Sequence, residues 1–170
     1  MKNLNLKAGD CFLVHSRDWL AKAIDAVESF WDFGNRRLYS HAGVIVNSAG
    51  LTLEAIRPRV YSQLFFQAYH GHQVMLVRYT KLTEQKLEVG LGAAYSHYRE
   101  LYPYWRLPLE LLRIGKFIHW NSVVCSELVA EYLHYIGARE YLWFGVDPED
   151  LEDEFRHWRD YEIIFEGMLE

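Results

Sequence analysis

The chain is poor in cysteine, with two among 170 residues, and in proline, with four. Two cysteines are too few for a disulfide framework, and a Cys11–Cys125 pair is allowed but not implied. No apolar run approaches the ~18 residues of a membrane span. Met1 to Asp10 lacks the apolar stretch of a secretory signal, which points to a reducing, cytoplasmic setting and leaves later release from the cell or virion association open. Lysine- and arginine-rich runs are missing and the formal net charge is -5, which argues against a nucleic-acid partner. There is no repeat, low-complexity tract or linker, so a single domain over residues 1–170 is expected. A glycine-rich phosphate loop is also lacking, because Gly90 and Gly92 fall inside a predicted helix.

Aromatic residues are plentiful at 16%, enough to fill a sizeable core or to line a cleft. Gly9-Asp10 signals a turn, and Cys11 to His15 reads as a strand. Residues 17–30 carry Leu20, Ile24 and Val27 at helical spacing, and a loop follows over residues 32–39. Two strand-like runs, His41 to Val46 and Leu51 to Ile56, flank the turn-forming Asn47-Ser48-Ala49-Gly50 and predict a hairpin. Residues 73–79 read as another strand, with a further one within 60–66. A helix is predicted over 83–99, capped by Thr83, with Leu87, Leu91, Ala94 and Tyr98 on one stripe. Residues 101–121, broken by Pro103, Pro108 and Gly115, read as an irregular aromatic connection. A helix over about 123–136 follows, with Asn121 or Ser122 as its cap and Gly137 at its end. Pro148 opens a short acidic helix through Phe155, and residues 161–166 form a closing strand. The sum is an α+β domain with an antiparallel sheet.

The chemistry-bearing residues lie far apart in the chain. On the helix over 123–136, Cys125, Leu128, Val129, Tyr132, Leu133 and Ile136 share one stripe, so Cys125 faces the body of the domain. It also lies in the first turn, where unpaired backbone N–H groups favour thiolate over thiol and can hold an oxyanion. Taken alone, a cysteine on an apolar face packs as a small hydrophobe; a base is needed to make it more. His41 is the best candidate. With Ser48 and Ala49 as a two-residue turn, Val46 faces Leu51, Val44 faces Leu53, and Gly43 faces Glu54. Val44, Val46, Leu51 and Leu53 then share a core face, and His41, Gly43 and Glu54 share the other. Glu54 sits diagonal to His41 at roughly 7–8 Å between backbones, within side-chain reach. A carboxylate on one imidazole nitrogen would leave the other free to take a thiol proton. A longer turn would change this pairing. By default His41 is a structural histidine at a strand start and Glu54 a solvated residue on an exposed sheet face.

The other candidates carry less. His70-Gly71-His72 lacks a cysteine or carboxylate at metal-ligand spacing. His15 shares the parity of Cys11 and could border the cleft, while His97, His119, His134 and His157 show no pattern. Cys11 reads as a strand residue rather than a second nucleophile.

The stretches Gly9-Asp10-Cys11-Phe12-Leu13, Ser40-His41-Ala42-Gly43-Val44-Ile45-Val46, Leu53-Glu54-Ala55 and Val124-Cys125-Ser126-Glu127-Leu128-Val129 occur in that order. So arranged, the chain resembles the permuted papain-like hydrolases of the YiiX type, part of the wider NlpC-like superfamily with relatives in poxviruses. The resemblance runs from about residue 8 to 151 and includes Asp147-Pro148 with Asp150-Leu151. It implies a circularly permuted papain-like fold, with an antiparallel sheet or partial barrel packed against helices and the histidine strand before the cysteine helix. It implies Cys125 as nucleophile, His41 as base and Glu54 as orienting acid. Many relatives carry a Tyr-Asp pair where this chain has Tyr102-Pro103-Tyr104-Trp105, so substrate preference does not transfer.

The expected activity is a cysteine hydrolase of the amidase or peptidase type, cleaving an amide or ester through a thioester with no metal or cofactor. Peptide-like or lipid-linked amides are the expected substrates. Two alternatives stand beside it: a lipid-directed acyl hydrolase or acyltransferase on the same fold, and a catalytically silent papain-like binding module.

Overall fold

The computed structural model describes residues 4–15, 39–56, 58–101, 123–140 and 144–170. The helix expected over 17–30, nearly all of the loop over 32–39 and the aromatic connection beyond Leu101 lie outside the described residues.

Six strands form one sheet: β1 (Cys11–His15), β2 (His41–Ile45), β3 (Thr52–Ile56), β4 (Arg59–Tyr61), β5 (Gln73–Tyr79) and β6 (Tyr161–Met168). Their order is β4-β3-β2-β1-β5-β6, and every neighbouring pair is antiparallel. The sheet is open rather than closed into a barrel. Among the described residues four helices accompany it: α1 (Phe65–Tyr69), α2 (Glu84–Ser96), α3 (Cys125–Tyr135) and α4 (Pro148–His157). No described helix is long and apolar enough to cross a membrane.

Strand alternation sorts the apolar residues onto two faces. Cys11, Leu13, Ala42, Val44, Leu53, Ala55, Met75 and Val77 point to one side. There they pack with Leu128, Val129, Tyr132 and Leu133 of α3 and with Leu151 and Phe155 of α4. Phe12, Val14, Ile45, Val74 and Leu76 point to the other side and meet Phe65 and Tyr69 of α1. The face expected to hold His41, Gly43 and Glu54 is thus a second core, and the central strands β1, β2, β3 and β5 are buried on both sides.

The hairpin register is the one the turn predicts. Val44 pairs with Leu53 and Ile45 with Thr52, and the Val46 N–H donates to the Leu51 carbonyl at 2.6 Å. Asn47 Oδ1 accepts from the N–H groups of Ala49 and Leu51 and holds the turn. Continuing the pairing sets Gly43 opposite Glu54. A Cβ on Gly43 would run into the Phe12 ring and lie 2.8 Å from Glu54 Cγ. Glycine is needed here because two side chains occupy the space above its backbone.

The strand expected within 60–66 is shorter, ending at Tyr61, and α1 begins at Phe65. The reason is a fold-back against the hairpin: Thr52 N–H donates to the Gln63 carbonyl (2.9 Å) and Phe65 N–H to the Gly50 carbonyl (2.8 Å). This reversal carries Phe65 and Tyr69 beneath Phe12, with ring centroids 5.0 and 5.4 Å from it.

Thr83 caps α2, its side chain accepting from Lys86 N–H, as the sequence predicts. Gly137 follows α3 with φ of 68°, the left-handed conformation expected of a terminal glycine. Asp147 caps α4, accepting from Asp150 N–H at 2.9 Å. The Gly9-Asp10 turn gains a partner that sequence does not show: Arg78 on β5 grips both Asp10 oxygens, at 2.7 and 2.8 Å.

His97, just past α2, ties that helix to α3. Its Nδ1 meets Glu100 at 2.9 Å and its Nε2 meets Glu131 at 2.7 Å. Carboxylates only accept, so both ring nitrogens must carry protons. Glu131 first, and Glu100 after it, raise the His97 pKa from 6.5 to about 9 against the effect of burial. This stabilisation is therefore complete below the unfolded value near 6.5 and fades as pH rises through about 9.

Two outcomes follow. In urea unfolding, wild-type protein loses more stability between pH 7 and pH 10 than His97→Gln does; equal losses would contradict the charged clamp. Gly43→Ala is destabilising by about 1–3 kcal/mol through overpacking, and denaturant midpoints measure it.

Candidate active site

Cys125 opens α3. The residue before it, Val124, is extended (φ -95°, ψ 173°) and occupies the cap position, not Asn121 or Ser122. Valine has no side-chain acceptor, so the helix start is held from within. The Glu127 carboxylate, itself buried, accepts from Val124 N–H at 3.2 Å and Gly145 N–H at 2.7 Å. Ser126 Oγ donates to the Val146 carbonyl at 2.6 Å. These bonds clamp residues 144–146 onto the first turn. As a result α3 is buried on every side from Cys125 to Leu133, a wider burial than the single predicted stripe.

His41 opens β2 and Glu54 is the third residue of β3. His41 Nε2 meets Glu54 Oε2 at 2.6 Å. The Cys125 side chain lies close enough to the His41 ring to favour its charged form. With Nε2 facing Glu54, Nδ1 is the nitrogen left for the sulfur. Of the three residues singled out in the sequence, His41 and Glu54 are in direct contact, and Cys125 lies near the ring. Cys125 and His41 are each 8% exposed and Glu54 is fully buried, in contrast to the solvated residue it would be by default.

Glu54 has more partners than His41. Oε1 accepts from the Thr52 hydroxyl and from Gln63 Nε2 (3.2 Å), and Oε2 also accepts from the Tyr69 hydroxyl. Gln63 Nε2 lies 3.2 Å from the Tyr69 oxygen as well. Sequence reasoning missed these three. Thr52 had a usable signal, since it shares Glu54's strand parity; Gln63 and Tyr69 reach the site only through the fold-back.

Charge follows from these contacts. Burial works against the Glu54 anion, but the His41, Thr52 and Tyr69 hydrogen bonds outweigh it and hold the carboxyl below its ordinary value. Burial likewise works against the His41 cation, yet Cys125 and Glu54 together raise its pKa from 6.5 to about 10. Burial, then Glu54, pushes the Tyr69 phenol far up, so it remains a donor.

Cys11 has a contrasting environment. It sits within the core, its sulfur 3.9 Å from the Gly9 carbonyl. Burial first, then Asp10, raises its thiol pKa well above the ordinary value. It is a packed strand residue, as expected, and neither cysteine is bonded to the other. His15 ends β1 and is half-buried. His72 turns back on the His70 carbonyl at 3.3 Å. Among the described residues no three His, Cys, Asp or Glu side chains form a group able to hold a metal ion. His119 lies outside the described residues.

No protein-family model matches the chain, and no curated protein does. Solved structures do match. The metalloprotein YiiX from Escherichia coli O157:H7 superposes with a TM-score of 0.66 at 15% identity, over 96% of this chain and 99% of that one. At that identity the likeness is one of fold, and it extends over nearly the whole length of both chains. The mixed α+β arrangement built above, an open antiparallel sheet with the histidine strand ahead of the cysteine helix, is a YiiX-type fold.

Proposed function

We propose that the protein is a cysteine hydrolase acting on amide or ester bonds of peptide-like substrates. One observation carries the reading: the His41 ring is hydrogen-bonded to the buried Glu54 carboxylate and lies close enough to Cys125, at the tip of α3, for the two to interact. A base held in one orientation beside a nucleophile at a helix tip is the arrangement that acyl transfer requires.

In the reaction the Cys125 thiolate attacks the carbonyl carbon. A C–S bond forms and the carbonyl electron pair moves onto oxygen. The backbone N–H of Cys125, in the first turn of α3, is placed to hold that oxyanion. His41, as imidazolium, gives its Nδ1 proton to the leaving nitrogen or oxygen, and the scissile bond breaks to leave a thioester. Neutral His41 then takes a proton from water, hydroxide adds to the thioester, and collapse releases the acid and the thiolate. Throughout, Glu54 keeps Nε2 protonated and the ring in place.

The fold neighbour YiiX is described as a metalloprotein. The donor set here does not fit a metal. Glu54's oxygens are taken by four donors, His41 Nε2 is one of them, and among the described residues no metal-ligating cluster exists. No step above runs through a metal.

A small thiol alkylator tests the reading. At neutral pH it labels Cys125 and spares Cys11, and His41→Ala removes the selectivity. Against an activated aryl ester, Cys125→Ala abolishes turnover and leaves the fold intact, and His41→Ala costs about 10²–10⁴-fold. Glu54→Gln costs less. Turnover by Cys125→Ala at the wild-type rate would refute the assignment. Product analysis in water and with added amine separates hydrolysis from acyl transfer.

The pH dependence has a fixed sign. His41 stays charged up to about pH 10, so the rate falls above that pH as the proton for the leaving group is lost. Glu54→Gln removes an anion from the imidazolium and moves this alkaline limb to lower pH. An unmoved limb would show that His41 does not answer to Glu54.

A further inference from the structure

We propose that Tyr69 and Gln63 are positioning residues: together they hold the Glu54 carboxylate ionised and aimed at His41. This rests on the reading of Cys125, His41 and Glu54 given above and adds a layer of residues that touch neither nucleophile nor substrate.

The argument begins with acceptor capacity. An ionised carboxylate offers about four lone-pair directions. At Glu54 all four are used: Thr52 and Gln63 on Oε1, His41 and Tyr69 on Oε2. The residue is fully buried, so no solvent replaces a missing donor. A carboxylate free to rotate about its last bond would lose the 2.6 Å contact with His41. Donors on both oxygens fix that rotation.

Tyr69 and Gln63 are themselves fixed, and as a chain. Tyr61 on β4 donates to Gln63 Oε1 at 3.3 Å. Gln63 Nε2 reaches both Glu54 Oε1 and the Tyr69 oxygen, each at 3.2 Å. The Tyr69 hydroxyl donates in turn to Glu54. Gln63 thus orients the hydroxyl that orients the carboxylate. The backbone underneath is equally determined, because Thr52 N–H bonds the Gln63 carbonyl and the Tyr69 ring lodges against Phe12 and Phe65. The Tyr69 ring also stands 6.1 Å from the His41 ring.

Alternative roles for Tyr69 fit less well. Its phenol is held protonated by burial and by Glu54, so it cannot serve as a base. Its only hydroxyl acceptor among the described contacts is Glu54, so it does not donate to an oxyanion. A purely structural role would need the ring but not the hydroxyl. Tyr69→Phe separates the two, since it keeps the ring and removes one donor.

The test follows the Glu54 carboxyl by 13C NMR in the full chain, its signal assigned with Glu54→Gln. The loss of one donor to a buried anion raises its titration midpoint by about one unit or more. Tyr69→Phe is expected to show that rise and to slow Cys125 alkylation by iodoacetamide at pH 6 several-fold. Gln63→Leu, at a half-buried site, is expected to shift the midpoint in the same direction and serves if Tyr69→Phe fails to fold. An unchanged midpoint in the folded variant would overturn the proposal and leave Tyr69 as a core ring. The two readings fail separately. Wild-type Cys125 alkylating no faster than an ordinary thiol would sink the hydrolase reading, whereas the Glu54 midpoint judges the positioning residues whatever that rate is.

Discussion

A carboxylate with no solvent contact, set between two apolar layers, is among the most costly groups a small domain can bury, and Glu54 is such a group. Much of the surrounding structure supplies what that anion needs. Thr52 provides a hydroxyl from the same strand, and the fold-back after β4 brings Gln63 and Tyr69. The hairpin brings His41 across Gly43, whose missing side chain leaves the room that Glu54 occupies. Short helix α1 is hard to explain by propensity, being five residues long with no side-chain cap. It makes sense as the carrier of Phe65 and Tyr69, which close the second core beneath the carboxylate.

The two cysteines show how completely environment decides the chemistry of one side chain. Both are buried. Cys11 is enclosed by core residues, and the nearby carboxylates Asp10 and Glu154 add to burial in keeping its proton on. Cys125 begins a helix whose first turn is pinned by Glu127 and by residues 144–146, and an imidazole that remains charged to about pH 10 stands beside it. The buried Glu127 parallels Glu54 in miniature. Each is a carboxyl side chain that holds geometry, one at the helix tip and one at the imidazole.

The short-range features were legible in the sequence because their causes are short-range. Asn47 to Gly50 sets the hairpin register through a turn, and register alone places His41 and Glu54 on one face. β5 and the Thr83 cap also announce themselves locally. What could not be read depends on tertiary packing. Alternation marks one face of β2 as apolar but does not reveal that Phe12 and α1 cover the other. The cap at Val124 was unexpected because Glu127 does from inside the helix what a polar cap residue does from outside. His97 showed no pattern because its partner Glu131 is on another helix. Tyr69 is fifteen residues from Glu54, and only the reversal at Gln63 joins them.

Fold alone does not carry an activity, and the likeness to YiiX is of fold. The charges argue further than the fold does. An imidazolium and a carboxylate buried beside a cysteine cost stability that apolar residues of similar volume would not, since replacing buried ion sets by such residues is often neutral or stabilising. A module that served only to bind or to assemble would have no use for an imidazole tuned to hold its proton at neutral pH beside a sulfur. Nor would it need a carboxylate with every lone pair assigned. Their presence in full, at the one point where strand, hairpin and helix tip converge, is what favours a working nucleophile over a silent shell.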